Sequence, residues 1–270
     1  MKPTFIIVGT QKGGTSAGMF YLDQHPDIYV YQGEPHYFDL DENYNKGDQW
    51  YENTFFNSKK SIVRKKERGE KTPIYCFFKK AMDRIHKYNP NIKIIIFLRH
   101  PIGRAYSQYN HVVDTSNPIS SKYKPTSRMF RNNNATFRQI LEKDIKKKNY
   151  QDYQTILQKG YYDEQLEYIR KLFPKKNIKV VISERFKKSP LRTTNSMCRF
   201  LGVGPIENTK IKVREDLHKR SYPNQISKGD YEFLLRLYKP HMEKLYKIFG
   251  KRIKEWDTMT YEKMLDSQYE

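Results

Sequence analysis

Three groups of residues in this chain have the types and spacing to carry chemistry. The first is Gly9-Thr10-Gln11-Lys12-Gly13-Gly14-Thr15-Ser16, a glycine-rich turn with hydroxyls and a lysine inside it. Placed between a strand and a helix N-terminus, such a turn points backbone N–H groups and the positive end of the helix dipole at an anion. The second is Glu34-Pro35-His36-Tyr37-Phe38-Asp39. A carboxylate beside a histidine suits proton abstraction from a hydroxyl, provided burial moves the Glu34 pKa toward neutrality. The third is Arg99-His100-Pro101, followed by Arg104 and Ser107. An arginine after a strand and a serine on the next helix can grip one phosphate through charge-assisted and hydroxyl hydrogen bonds.

These groups need elements to position them, and the hydrophobic pattern supplies them. Phe5-Ile6-Ile7-Val8 is an apolar, β-branched run of strand length, and Ala17, Phe20, Tyr21 and Leu22 follow at helical spacing. Residues 28–31, 92–98 and 177–183 read as further strands. Residues 81–88, 137–148, 153–173, 194–201 and 231–249 read as helices. Ile92 to Leu98 is the clearest buried strand, and it delivers Arg99 to a carboxyl end, where open α/β sheets bind ligands. In 43–56, Trp50, Tyr51 and Phe55 are expected to pack under a loop. The charged stretch 59–71 reads as a solvated face, and 112–135 as a long loop that suits either an acceptor lid or a loose insertion. Residues 251–270 read as a polar tail anchored by Trp256. The expectation is one α/β domain over 1–270 with a central parallel sheet between helices.

Composition narrows the partners. With 51 Lys and Arg against 30 Asp and Glu, the chain carries a formal charge of +21, which favours polyanions: nucleic acid, an acidic membrane surface or an acidic polysaccharide. The two cysteines, Cys76 and Cys198, are too few for a disulfide scaffold or a cysteine-built zinc site. No run reaches transmembrane length, and the first strand begins too near Met1 to leave room for a signal peptide. As written the chain reads as cytoplasmic, with the Golgi lumen open to it only as an excised catalytic domain. Its oligomeric state is not legible.

Gly9 and Gly14 have the separation of the nucleotide-hydrolase loop G-x-x-x-x-G-K-[ST], but Thr15 stands at the lysine position. A hydroxyl cannot replace that charge on the β- and γ-phosphates, so a kinase or nucleotide hydrolase is the weaker reading. A basic nucleic-acid-binding protein is the other rival, disfavoured because no nucleic-acid module is recognisable.

The loop G-T-Q-K-G-G-T-S resembles the 5′-phosphosulfate-binding loop of sulfotransferases that use 3′-phosphoadenosine 5′-phosphosulfate (PAPS), in the form found in the heparan sulfate branch. Glu-x-His-x-Phe-Asp is similar to the catalytic segment of the 3-O-sulfotransferases of that branch. Glu70-Lys71-Thr72-Pro73-Ile74-Tyr75 resembles their E-K-[ST]-x-x-Y segment, and Leu98 to Tyr109 their 3′-phosphate element, L-R-x-P-x-x-R-A-x-S-x-Y. The resemblance implies a P-loop-like three-layer sandwich that moves a sulfuryl group from PAPS to an acceptor hydroxyl, releases 3′-phosphoadenosine 5′-phosphate (PAP), and uses no metal. It assigns Glu34 as general base, His36 and Asp39 as its neighbours, and Lys71 to the acceptor and transferred group. Gln11, Gly13, Gly14, Thr15 and Ser16 fall to the 5′-phosphate, and Lys12 to the sulfuryl group and bridging oxygen. Arg99 and Ser107 fall to the 3′-phosphate, with Arg104 in a supporting role. Arg220 matches a basic loop that closes over the cofactor; the disulfide that pins this loop in relatives has no counterpart here. The implied acceptor is an acidic glycan or another hydroxyl-bearing molecule, and nucleic acid is not expected.

Overall fold

The computed structural model describes residues 1–56, 64–113, 135–148, 151–207, 211–212 and 225–269. The chain forms two compact units, Met1–Arg99 with Gln165–His218, and His100–Glu164 with Lys219–Glu270.

The first unit is built on a five-stranded sheet ordered β2-β3-β1-β4-β5. The strands are β1 (Phe5–Gly9), β2 (Ile28–Val30), β3 (Glu67–Lys71), β4 (Lys93–Leu98) and β5 (Ile178–Ile182). Every pairing is parallel. Parallel strands are buried on both faces, which is why β1 and β4 are continuous apolar runs. On one face Phe5, Ile7, Ile95 and Phe97 pack with Tyr21 and Met197. Those last two belong to α1 (Thr15–Asp23) and α9 (Pro190–Leu201). The alternate residues Ile6, Val8, Ile94 and Leu98 are equally buried. Each such side chain contributes about 1.5–3 kcal/mol on burial. The unit also holds α2 (Asp41–Tyr44), α3 (Asp48–Phe55), α4 (Lys79–Tyr88), α8 (Ser183–Lys188) and the Gln165–Leu172 part of α7 (Tyr162–Leu172).

The second unit contains α5 (Pro101–Val113), α6 (Phe137–Ile145), α10 (Lys228–Phe249), α11 (Lys254–Asp257) and α12 (Tyr261–Tyr269). Thr136 and Gln139 form a capping box at α6. Ser227 caps α10, and Gly250 ends it at φ 68°. Arg104 is fully buried on α5, donating to Gln108 Oε1 at 2.6 Å and to the Ile156 carbonyl.

The α/β class and the parallel sheet match the expectation, with corrections. Glu67–Lys71 is not a solvated face but strand β3, lying between β2 and β1. Glu70 and Lys71 are buried and bonded, to Tyr51 and Thr72 and to Glu34 and Ser16, and Gly69 lies under the Phe5 ring, where a Cβ would come within 2.4 Å. The helix expected from 153 begins only at Tyr162, after a 3₁₀ turn over Gln158–Gly160. The tail is helical: Trp256 and Met264 are 2 % and 1 % exposed, with the indole against His100 and Tyr162. Helix α5 takes the first two residues of the expected long loop; 114–134 lie outside the described residues, as do 213–224 with Arg220.

Candidate functional site

The glycine-rich loop leaves β1 and enters α1 in the manner of an anion cradle. Thr10 is tied to the end of β4: its amide and its hydroxyl both donate to the Phe97 carbonyl, at 2.8 and 2.9 Å. The Gly13 amide donates back to the Thr10 carbonyl at 2.9 Å, and the Ser183 hydroxyl, at the end of β5, donates to the Gly13 carbonyl. A Cβ on Gly13 would come within 2.8 Å of the Phe97 carbonyl oxygen. Gly14 is the N-cap of α1 at φ 90°, a conformation in which a side chain would be strained. No side chain caps this helix and no acid stands in its first turn. Its leading N–H groups therefore have no partner from the helix's own cap, the condition under which a helix N-terminus can take an anion. Thr15, at the place of the nucleotide-hydrolase lysine, is buried.

Across from this loop stands the acidic segment. His36 adopts φ 49°, and the Asn43 amide holds the turn by donating to the Pro35 and His36 carbonyls at 3.2 and 3.1 Å. The turn brings the two carboxylates onto one imidazole: His36 Nδ1 is 2.7 Å from Asp39 Oδ2, and Nε2 is 3.4 Å from Glu34 Oε2. β3 supplies the remaining charge. Lys71 Nζ donates to Glu34 Oε1 at 2.7 Å and to the Ser16 hydroxyl at 3.3 Å, so a single ammonium spans the carboxylate and the first turn of α1. Glu34, His36, Asp39, Lys71 and Ser16 are therefore assembled at one place.

The protonation states follow. Burial pushes Glu34 up, but its hydrogen bonds and charge contacts with His36 and Lys71 outweigh that and hold it at about 2. Burial alone would push His36 down; Asp39 and Glu34 instead raise it to about 9. The condition set for Glu34 as a base, that burial move it toward neutrality, is not met in the folded chain. At neutral pH the segment is an imidazolium between two carboxylates, with a lysine on one of them.

Lys12, at φ 66°, and Gln11 lie in the loop and are half-buried. Arg99 is half-buried just past the end of β4 in the first unit, and Ser107 is buried on α5 in the second. Three contributors were not singled out from sequence: Ser183 and Thr10, which fix the loop, and Glu70, which is buried beside Lys71. Each had a legible signal: Ser183 stands at the carboxyl end of an expected strand, Thr10 inside the glycine-rich turn and Glu70 at the head of the Glu70–Tyr75 motif.

Comparison with known proteins gives this geometry its place. Human heparan sulfate glucosamine 3-O-sulfotransferase 5 is 31 % identical over 204 residues, covering 75 % of this chain and 54 % of the relative. Mouse heparan sulfate glucosamine 3-O-sulfotransferase 3B1 is 30 % identical over 208 residues, covering 77 % of this chain and 48 % of the relative. The chain thus spans about half the length of these curated relatives. A sulfotransferase from Alicyclobacillus acidocaldarius has a TM-score of 0.68 at 24 % identity, over 95 % of this chain and 99 % of that one. A mouse sulfotransferase complexed with PAP has a TM-score of 0.53 at 16 % identity, over 91 % and 85 %. At those identities the likeness speaks for the fold. A family model described as a sulfotransferase domain matches residues 2–228. With that match across most of its length, the chain belongs to the sulfotransferase family.

Proposed function

We propose that the chain transfers a sulfuryl group from PAPS to a hydroxyl of an acidic glycan. The observation that carries this reading is the bridge made by Lys71, one ammonium within hydrogen-bond reach of both the Glu34 carboxylate and the Ser16 hydroxyl. It sets an acid and an anion cradle on either side of one cation, the arrangement an in-line group transfer needs.

The cradle fits a phosphosulfate. The N-terminus of α1 lacks a side-chain cap and has no acidic residue in its first turn, and Gly14, with no atom closer than 3.9 Å to where a Cβ would stand, leaves the backbone open there. When bound, PAPS supplies the activated sulfuryl group and a phosphate leaving group. The amides of residues 14–16 and the Ser16 hydroxyl would hold the 5′-phosphate, on a loop fixed by the Gly13 amide's bond to the Thr10 carbonyl. Lys12 and Lys71 face the charge that develops on the sulfuryl and bridging oxygens. Arg99 would serve the 3′-phosphate, and the resemblance proposes Ser107 and Arg220 as further cofactor residues. Glu34 takes the acceptor proton. Held at about 2 it is a feeble base. An anion at the cradle competes for Lys71, and each fraction of the ion pair given up raises Glu34 toward its working range. His36, charged, donates to Glu34 and Asp39 and so orients the base without removing a proton itself.

The acceptor class rests on the net charge of +21 and on relatives named for heparan sulfate glucosamine. The test is label transfer from radiolabelled PAPS to a panel holding heparan sulfate oligosaccharides, tyrosine peptides and small alcohols, beside a thermal shift with PAP. The expected result is stabilisation by PAP and labelling of the acidic glycans. Labelling of peptides alone would overturn the acceptor class, and no stabilisation by PAP would overturn the cofactor.

A further inference from the structure

Glu70 has no part in the mechanism above, yet it is wholly buried, one residue from Lys71 on β3. Strand alternation points neighbouring side chains to opposite faces, so Lys71 reaches the site while Glu70 turns into a pocket of hydroxyls. Its Oε2 accepts from Thr72 Oγ1 at 2.8 Å and its Oε1 from the Tyr51 hydroxyl at 3.2 Å, and Tyr75 brings a third hydroxyl into its electrostatic reach. No lysine or arginine pairs with it among the described residues.

A hydroxyl carries one hydrogen, so a hydroxyl that donates to Glu70 offers only lone pairs elsewhere. Those lone pairs are in use. The Tyr75 oxygen accepts from the Tyr37 amide at 2.9 Å and the Phe38 amide at 3.3 Å, and Thr72 Oγ1 accepts from the His36 amide at 3.5 Å. Three consecutive amides, all between Glu34 and Asp39, thus end on two hydroxyl oxygens of this pocket: Thr72 Oγ1, which gives its hydrogen to Glu70, and the Tyr75 oxygen, whose lone pairs are taken by two amides so that its hydrogen is left for the carboxylate beside it. We propose that Glu70 is the positioning residue of the catalytic turn: as a carboxylate it fixes the direction of the hydroxyls that hold residues 36–38, and so the placement of Glu34 against Lys71.

Protonated, Glu70 becomes a donor, one hydroxyl must reverse, and an amide loses its acceptor. Facing it are Tyr51 from α3, Thr72 and Tyr75 from the segment after β3, and the His36 imidazolium. Burial raises Glu70 to about 7 against their pull, so the exchange falls near neutral pH.

The inference rests on the proposed role of Glu34, and amide exchange tests it without that role. Hydrogen exchange is measured on PAP-saturated wild type, Glu70→Gln, Tyr75→Phe and the double variant, beside kcat, acceptor KM and PAP affinity. In Glu70→Gln, exchange at residues 36–38 is expected to rise about tenfold, the equivalent of one hydrogen bond, above the change elsewhere in the unit. kcat should fall at least as far, with PAP affinity unchanged. The double variant should exchange no faster than the worse single, because both break one chain of bonds. If Glu70→Gln does not fold, Tyr75→Phe carries the exchange measurement. A uniform rise across the unit, or none at 36–38, overturns the proposal. Wild type that PAP fails to stabilise overturns the sulfotransfer reading and leaves the exchange result, taken without PAP, to decide this one.

Discussion

His36 offers the most direct test of the site's electrostatics. The replacement of choice is asparagine, which tolerates the left-handed backbone that His36 adopts at φ 49°. His36→Asn keeps a polar side chain of modest size and removes the imidazolium from between Glu34 and Asp39. Displacement of the pKa from 6.5 to about 9 corresponds to about 3 kcal/mol of preference for the charged ring in the folded state. The side chain is only 10 % exposed, so solvent screening takes little of it. The sign follows from the direction. A raised pKa stabilises the fold fully below pH 6.5 and is lost as the pH climbs through about 9. Glu34 behaves oppositely: its stabilisation is present above pH 4.5 and lost as the pH falls toward 2. The two shifts share one contact and are not added. Urea denaturation of wild type and variant at pH 6 and pH 10 should therefore show a gap about 3 kcal/mol larger at pH 6. The ring resonances of His36, identified by their loss in the variant, should titrate near pH 9. Equal gaps at the two pH values, or titration of this ring below pH 7, would refute the reasoning and leave the imidazole neutral in the working enzyme.

The other expectations concern the reaction and the loop. Glu34→Gln should keep PAP binding, read by calorimetry, while turnover falls by about 10²–10⁴, the usual worth of a general base; near wild-type turnover removes Glu34 from that role. Arg99→Ala should weaken PAP by about 10- to 100-fold, as expected for a lost charge-assisted hydrogen bond, with little change in melting temperature. Gly13→Ala drives a methyl against the Phe97 carbonyl at 2.8 Å, and PAP affinity should fall beyond detection while the far-ultraviolet dichroism stays unchanged. Trp256→Ala should cost about 3–5 kcal/mol in denaturant titration, because the indole is 2 % exposed; a cost below 1 kcal/mol would return this segment to the status of a tail.

Much of this was legible because its causes are local in sequence. The apolar run of β1, the glycines of the turn and the helical spacing after it are neighbours in the chain, and local sterics bend them into a turn that Phe97 and Ser183 then fix. The same holds for Ile92 to Leu98 with Arg99 at its end, and for the spacing of Glu34, His36 and Asp39. β3 was hidden because strand signals report side-chain patterning, and Glu67-Arg68-Gly69-Glu70-Lys71 has the composition of a surface. Neighbours distant in sequence made it a strand: Phe5 over Gly69, three hydroxyls around Glu70, and Glu34 with Ser16 around Lys71. The protonation states were hidden for the same reason. From sequence, burial was the force weighed on Glu34's pKa, and it acts upward. In the folded chain an ammonium from β3 and an imidazolium two residues away reverse the sign. The order of residues thus decided which groups exist and how the loop that carries them turns. Tertiary contact decided which charge meets which, because Coulomb energies and desolvation depend on distances through space that the order of residues does not state.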